Sequence, residues 1–138
     1  MAIKFYSSDV SFNLKNKRLI KNWIDNAIVN EAKILGDISI ILCSDEFLLK
    51  LNQDFLQHDT FTDIITFDNT EGIIIAGELY ISIDRVRENA TSFTIDFNNE
   101  LLRVIIHGVL HLCGYGDKKP NEIKKIREKE DFYLGTFN

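Results

Sequence analysis

The sequence predicts an α+β fold: one layered domain over residues 1–138, with a small mixed β-sheet packed by helices. Three observations predict it. Short β-branched runs alternate with stretches of helical period; two β-rich runs near the middle have no helix-length pattern between them; and no Gly- or Ser-rich linker divides the chain. A strict βαβ series would not set two strands side by side. The length of 138 residues matches one domain, which typically runs to about 100–150 residues.

The elements follow in order. Ile3-Lys4-Phe5-Tyr6 is a short β-prone start closed by Ser7-Ser8-Asp9. From about Lys15 to Leu35 apolar residues, among them Leu19, Ile20, Trp23, Ile24, Ala27 and Ile28, recur at three-and-four spacing, predicting an amphipathic helix ended by Gly36. Ile38 to Cys43 is expected to be a buried strand, and Ser44 or Asp45 to cap a helix running to about Phe55. Ile64-Ile65-Thr66-Phe67 is a second β-rich run before the turn formers Asp68-Asn69, and Glu78 to Ile83 a further strand. Asp84 opens a helix with Val86, Ala90 and Phe93; Asn98 or Asn99 opens the next, which carries Leu101, Leu102, Ile105 and Ile106 up to Gly114. The last helix starts near Pro120, a residue suited to the first helical position, and ends about Leu134.

Composition narrows the class. With 45% hydrophobic residues and one Pro, the chain has too much apolar content to remain disordered and no collagen-like or repeat period. Two Cys are no disulfide framework and suit a reducing compartment. Neither a basic-then-apolar leader nor a stretch of roughly 18 apolar residues is visible, so a soluble, cytoplasmic protein with no membrane partner is expected.

The net charge of −5 argues against a generally basic nucleic-acid coat. It is unevenly spread: residues 1–36 carry +3, 37–100 carry −10, and 101–138 carry +2. Six Lys and Arg between Lys118 and Lys129 face only Glu122 and Glu128 within that stretch. They form either an anion-attracting face or solvated Glu–Lys helix pairs.

The chemistry concentrates in His107-Gly108-Val109-Leu110-His111, near the end of a strongly apolar helix. Residues i and i+4 project from one helix face about a turn apart, so both imidazoles can grip one ion. Gly114 stands where a left-handed residue would stop the helix, and Tyr115-Gly116 can reverse the chain so that Asp117 points back. Two imidazoles and one carboxylate make a three-ligand set that leaves a fourth zinc position open for water, which would ionise near pH 7. The bland alternative, two core histidines, is disfavoured because polar rings on an apolar helix are costly without partners. Cys113 is expected to be a small core hydrophobe rather than a fourth ligand.

Gly108 separates two hydrolytic readings. In His-Glu-x-x-His metalloproteases the Glu beside the first His activates water and handles the amine proton, and here that position is Gly. A phosphodiester can be attacked with a metal stabilising phosphoryl charge, so the balance tilts away from a protease. A Gly within a helix also costs roughly 1 kcal/mol relative to Ala, which points to a close backbone approach or to tight helix packing.

His107 to Tyr115 resembles the His-Gly-x-Leu-His-Leu-x-Gly-Tyr-Asp-His signature of the YbeY-type bacterial endoribonucleases, also called rRNA maturation factors. Leu51-Asn52 through Asp59 with Thr62 to Phe67, and Gly77 to Ser82, resemble further family segments, so the similarity spans about Leu51 to Leu134. The resemblance implies a single-strand-preferring, zinc-dependent endoribonuclease acting on small-subunit (16S) rRNA and in ribosome quality control, with one Zn2+ per chain at the base of a cleft in an α+β fold. RNA and the small ribosomal subunit are the implied partners, and DNA is not expected. The His ligands carry over to His107 and His111. The family's third His falls on Asp117, which retains a ligand but lowers the site's charge by one, making its water less acidic and admitting other metals such as iron(II). A family Arg, a natural phosphate ligand, falls on Leu56. Substrate contact is therefore assigned to Arg103, Lys118 and Lys119, with Thr62 and Asp63 either lining the cleft or capping the strand. His58-Asp59 is expected to be a polar turn or a pair near the cleft. A metalloprotease-like hydrolase and a non-catalytic, metal-stabilised ribosome-assembly factor are the alternatives.

Overall fold

A computed structural model describes residues 2–56 and 62–137. Strand β1 (Ile3–Ser7) leads through helix α1 (Lys17–Asn30) into strand β2 (Ile34–Cys43). Helix α2 (Asp45–Leu51) continues into a π-helical turn (Asn52–Leu56); strands β3 (Ile64–Asp68) and β4 (Ile74–Ser82) follow; then come helices α3 (Ile83–Phe93), α4 (Phe97–Leu112) and α5 (Pro120–Leu134). The sheet has the order β1-β2-β4-β3. β2 is parallel to both β1 and β4, and β3 joins β4 as an antiparallel edge, so the sheet is mixed as expected.

One sheet face carries Ile38, Ile40, Leu42, Leu79 and Ile81, all 1% exposed or less. Against it pack the apolar stripe of α1, including Ile24 and Ile28, and that of α4, including Ile105 and Ile106. At roughly 25 cal/mol per Å2 of apolar surface removed from water, this layer is the main driving force for the fold. A smaller cluster of Cys43, Leu48 and Ile65 lies under α2 on the other face.

Several boundaries differ from the sequence expectation. Helix α1 stops at Asn30 instead of Leu35, because Ala32 turns left-handed at φ 60° and Lys33 N–H donates back to Ile28 O. Ile34 to Gly36 instead belong to β2, where the pairing shifts register between Leu35 and Ile38. Gly36 sits at that irregularity: a Cβ there would lie 2.8 Å from Ile75 O, so the glycine answers a close strand approach and not a helix stop. Strand β4 begins at Ile74, four residues before Glu78, pairing its β-branched start with Ile34 and Leu35. Asp84 does not open α3; Ser82, the last residue of β4, caps it by accepting from Arg85 N–H, so the strand runs directly into the helix. Helix α4 starts at Phe97 behind Asp96, not at Asn98 or Asn99.

Candidate metal centre

Helix α4 divides into two faces. Val104, Ile105, Gly108 and Val109 are buried, while Arg103, His107 and His111, spaced by four, form a half-buried stripe away from the sheet. Gly108 lets the helix lie close to the strands: a Cβ there would stand 2.7 Å from Ile64 Cδ1 and 3.0 Å from Leu79 Cδ2. Tight packing explains this glycine. Position 108 therefore packs against the strands and offers no water-activating carboxylate.

The helix ends as its sequence requires. Gly114 adopts φ 107°, Gly114 N–H donates to His111 O, and Tyr115 N–H donates to Leu110 O, the paired bonds of a Schellman motif. The next turn is fastened at two points. Tyr115 donates its phenol to Glu31 Oε1 at 2.6 Å, and Glu122 Oε1 accepts the backbone N–H groups of Lys118 and Lys119. Asp117 is held between these anchors and faces the helix.

His107 Nε2 and His111 Nε2 lie 2.9 Å apart, and Asp117 Oδ2 stands 3.4 Å from the first and 3.1 Å from the second. These three atoms form a group within 4.8 Å that could hold a metal ion. The outer nitrogens decide what the inner ones offer. His107 Nδ1 is 2.6 Å from Glu130 Oε2, and His111 Nδ1 is 2.7 Å from the Tyr115 carbonyl oxygen. A carbonyl can only accept. Although burial opposes its charge, Glu130 is held below the usual carboxylate range by hydrogen bonds from His107 and Arg103, so it too accepts. Both Nδ1 atoms thus carry protons, so each ring in its neutral form turns an Nε2 lone pair toward an anionic oxygen. Such a donor set fits a cation. Burial works against charge on His107, but the Glu130 hydrogen bond and the nearby Glu130, Asp117 and Asp63 charges outweigh it and raise its pKa.

Beside these residues opens a cleft of about 300 Å3 lined by Asp63, Asn89, Glu100, Arg103, Arg127 and Glu130 as well as His107 and Asp117. Carboxyl groups outnumber guanidinium groups there. Burial raises the carboxyl pKa of both Asp63 and Glu100.

The model of the family described as Endoribonuclease YbeY matches residues 2–138. The chain belongs to the YbeY family. It is 48% identical over 136 residues to Endoribonuclease YbeY of Christiangramia forsetii, covering 99% of this chain and 94% of that protein. It is 50% identical over 131 residues to Endoribonuclease YbeY of Parabacteroides distasonis, with 95% and 92% covered. Among solved structures, the solution structure of a Thermotoga maritima protein superposes with a TM-score of 0.68 at 31% identity, covering 96% of this chain and 87% of that one. The family expected from the signature is thus the family found, and the relatives above carry the name endoribonuclease.

Within this YbeY-family fold the remaining residues singled out by sequence are distributed unevenly. Asp63 lines the cleft, where its Oδ2 is 3.4 Å from Asn89 Nδ2, whereas Thr62 turns its hydroxyl to Ile64 O at the start of β3. Arg103 lies in the cleft with its guanidinium on two carboxylates, Glu130 Oε1 at 2.9 Å and Asp131 Oδ1 at 2.7 Å. Lys118 and Lys119 are exposed beside Asp117 at the start of α5. Cys113 packs against the core, and burial pushes its thiol up to about 11. His58 and Asp59 lie outside the described residues, as does the side chain of Leu56. Sequence reasoning missed Glu130, Glu31 and the anchoring part of Tyr115. Glu130 stands 23 positions from His107 in a charged helix, and only its i−4 spacing on the buried side of α5, with Ile126, hints that it turns inward. Among the described residues no helix is long and apolar enough to cross a membrane.

Proposed function

We propose that this chain is a single-strand-specific, zinc-dependent endoribonuclease, one domain over residues 1–138, that matures the 3′ end of small-subunit (16S) rRNA and serves ribosome quality control in the cytoplasm. The observation that carries the proposal is the convergence of two Nε2 lone pairs and Asp117 Oδ2 beside a cleft, with both Nδ1 protons already committed. His107, His111 and Asp117 would hold one Zn2+. Bound there, zinc would supply Lewis acidity toward a phosphoryl oxygen and lower the pKa of a water, the nucleophile of this reading.

The chain's own groups do the rest. Glu130 and the Tyr115 carbonyl hold the Nδ1 protons and aim the rings; Arg103 keeps Glu130 ionised. The acidic cleft would repel a phosphodiester by itself, so productive binding needs the divalent charge, with Lys118 and Lys119 supplying the flanking positive potential, Arg103 already paired with Glu130 and Asp131, and Thr62 and Asp63 bordering the bound strand. A metalloprotease is disfavoured because position 108, where His-Glu-x-x-His enzymes carry their general base, is a glycine.

The test is cleavage of a single-stranded RNA containing the rRNA 3′ junction by metal-loaded chain, with a double-stranded control. Chelator-sensitive, strand-selective cuts that vanish in His111→Ala are expected. Cyclic-phosphate product ends would exclude direct attack by water. Stoichiometric metal with no turnover would favour the assembly-factor reading.

A further inference from the structure

We infer that Glu130, oriented by Arg103, is the positioning residue that fixes the His107 ring for metal binding, so that a carboxylate on α5 sets the affinity of a ligand on α4. The inference rests on the metal reading above and adds to it a group outside the ligand set. Arg103 and His107 are one turn apart on the same face of α4. Glu130 bridges them: Oε1 receives Arg103 Nη1 at 2.9 Å and Oε2 receives His107 Nδ1 at 2.6 Å. One carboxylate thus spans two successive turns of the neighbouring helix, with each oxygen committed to one of them. Asp131 holds the other terminal nitrogen of Arg103 at 2.7 Å, and Arg127 Nη1 stands 3.6 Å from Glu130 Oε1.

Two things follow from this arrangement. The carboxylate plane is pinned from both sides, so Oε2 has one direction in which to accept, and the imidazole that donates to it cannot rotate without losing that bond. The side chain of Glu130 is also only 5% exposed, so water cannot take over its place when the ring swings away. His107 is held by an ionised carboxylate, whereas His111 is held by a neutral carbonyl, and the Glu130 bond is the charge-assisted and stronger of the two. A carboxylate behind a ligating imidazole fixes its tautomer and raises its basicity as a ligand. A helix-to-helix ion pair alone would account for Arg103 with Glu130 and Asp131, but not for the second oxygen being spent on a histidine.

The experiment is a competition titration of Zn2+ against a chromophoric chelator on the full chain, for wild type, Glu130→Gln and Arg103→Met, with the visible spectrum of each Co2+-loaded protein recorded alongside. Glu130→Gln keeps the shape and removes the charge; it should weaken Zn2+ binding by about 10- to 100-fold and shift the Co2+ bands. Arg103→Met leaves Oε2 on His107 but frees the carboxylate, and should weaken binding by a smaller factor. Affinities within about twofold of wild type and unchanged Co2+ spectra in both variants, whatever happens to their melting temperatures, would reduce Glu130 to a structural ion pair and overturn the inference while leaving the metal reading intact. A wild-type chain that takes up no metal would overturn both. Because Arg103→Met retains the buried carboxylate on His107, it keeps the test decisive even where Glu130→Gln folds poorly.

Discussion

Tyr115 receives the Nδ1 proton of His111 on its backbone carbonyl at 2.7 Å, while its phenol donates to Glu31 at 2.6 Å. A single residue therefore orients a ring of the metal centre and ties the turn carrying Asp117 to the end of α1. Tyr133 also donates to Glu31, and Lys129 pairs with it at 3.2 Å. Tyr115→Phe removes one donor from a half-shielded carboxylate and leaves the backbone acceptor in place. A loss of about 1–2 kcal/mol in denaturant unfolding is expected, with metal stoichiometry retained.

Glu31 also sets a pH dependence. Burial pushes its carboxyl up, but hydrogen bonds from Tyr115, Tyr133 and Lys129 prevail and hold it below the usual 4.5. With the folded value depressed, its contribution to stability is present above the unfolded pKa and is lost as pH falls through the folded value. Unfolding free energies measured from pH 6 downward should fall less steeply in Glu31→Gln than in wild type, and a parallel pair of curves would count against the clamp.

Glu100 behaves in the opposite sense. It is 4% exposed, burial and the Asp63 charge raise its pKa above 4.5 against the pull of Arg103 and Arg127, and among the described residues its Oε1 has no hydrogen-bond partner. A raised folded value means stability present at low pH and lost as pH climbs through it. Glu100→Gln should therefore be more stable than wild type at neutral pH by about 1 kcal/mol, with the gap closing on acidification below the unfolded pKa. Thermal melts at pH 4 and pH 7.5 would register it, and a gap that widens toward acid would contradict it.

Metal content separates ligands from bystanders. Elemental analysis should find near one zinc per wild-type chain and sharply less in Asp117→Ala, whose carboxylate is the third atom of the converging group. Equal zinc in the two proteins would remove Asp117 from the set.

Gly108→Ala places a methyl against Ile64 and Leu79. Overpacking of this kind costs about 1–3 kcal/mol, against a helix-propensity gain of about 1 kcal/mol, so a net loss of stability is expected in chemical denaturation. Gly108→Glu should destabilise further and yield no peptidase.

Replacing both Lys118 and Lys119 by Ala should weaken single-stranded RNA binding and flatten the salt dependence of log K by about 1.4, if each contacts one phosphate. Unaltered salt slopes would move the contact elsewhere.

Much of this was legible in the sequence because the relevant physics is local. The His-x-x-x-His spacing, the glycine stop and the returning Asp117 lie within eleven consecutive residues, so helix geometry and the turn that follows it bring them together. The strands declared themselves by β-branched runs. What stayed hidden depends on distant partners. Gly36 reads as a helix terminator until Ile75 is seen behind it, and Arg103 reads as a free phosphate ligand until Glu130 and Asp131 arrive from another helix. Glu130 itself is set apart in sequence from its solvated neighbour Glu128 only by its four-residue spacing from Ile126.

The two rings of the centre take their bearings from opposite ends of the chain order, one from Glu130 on α5 and the other, through Tyr115, from Glu31 at the close of α1. The ligands themselves come from one short segment that can form early, but a partly folded chain would present them unaimed. Full grip on a metal thereby becomes a late reward of completed folding, and the three converging ligand atoms are kept from their final aim on a chain whose first and last helices have not yet docked.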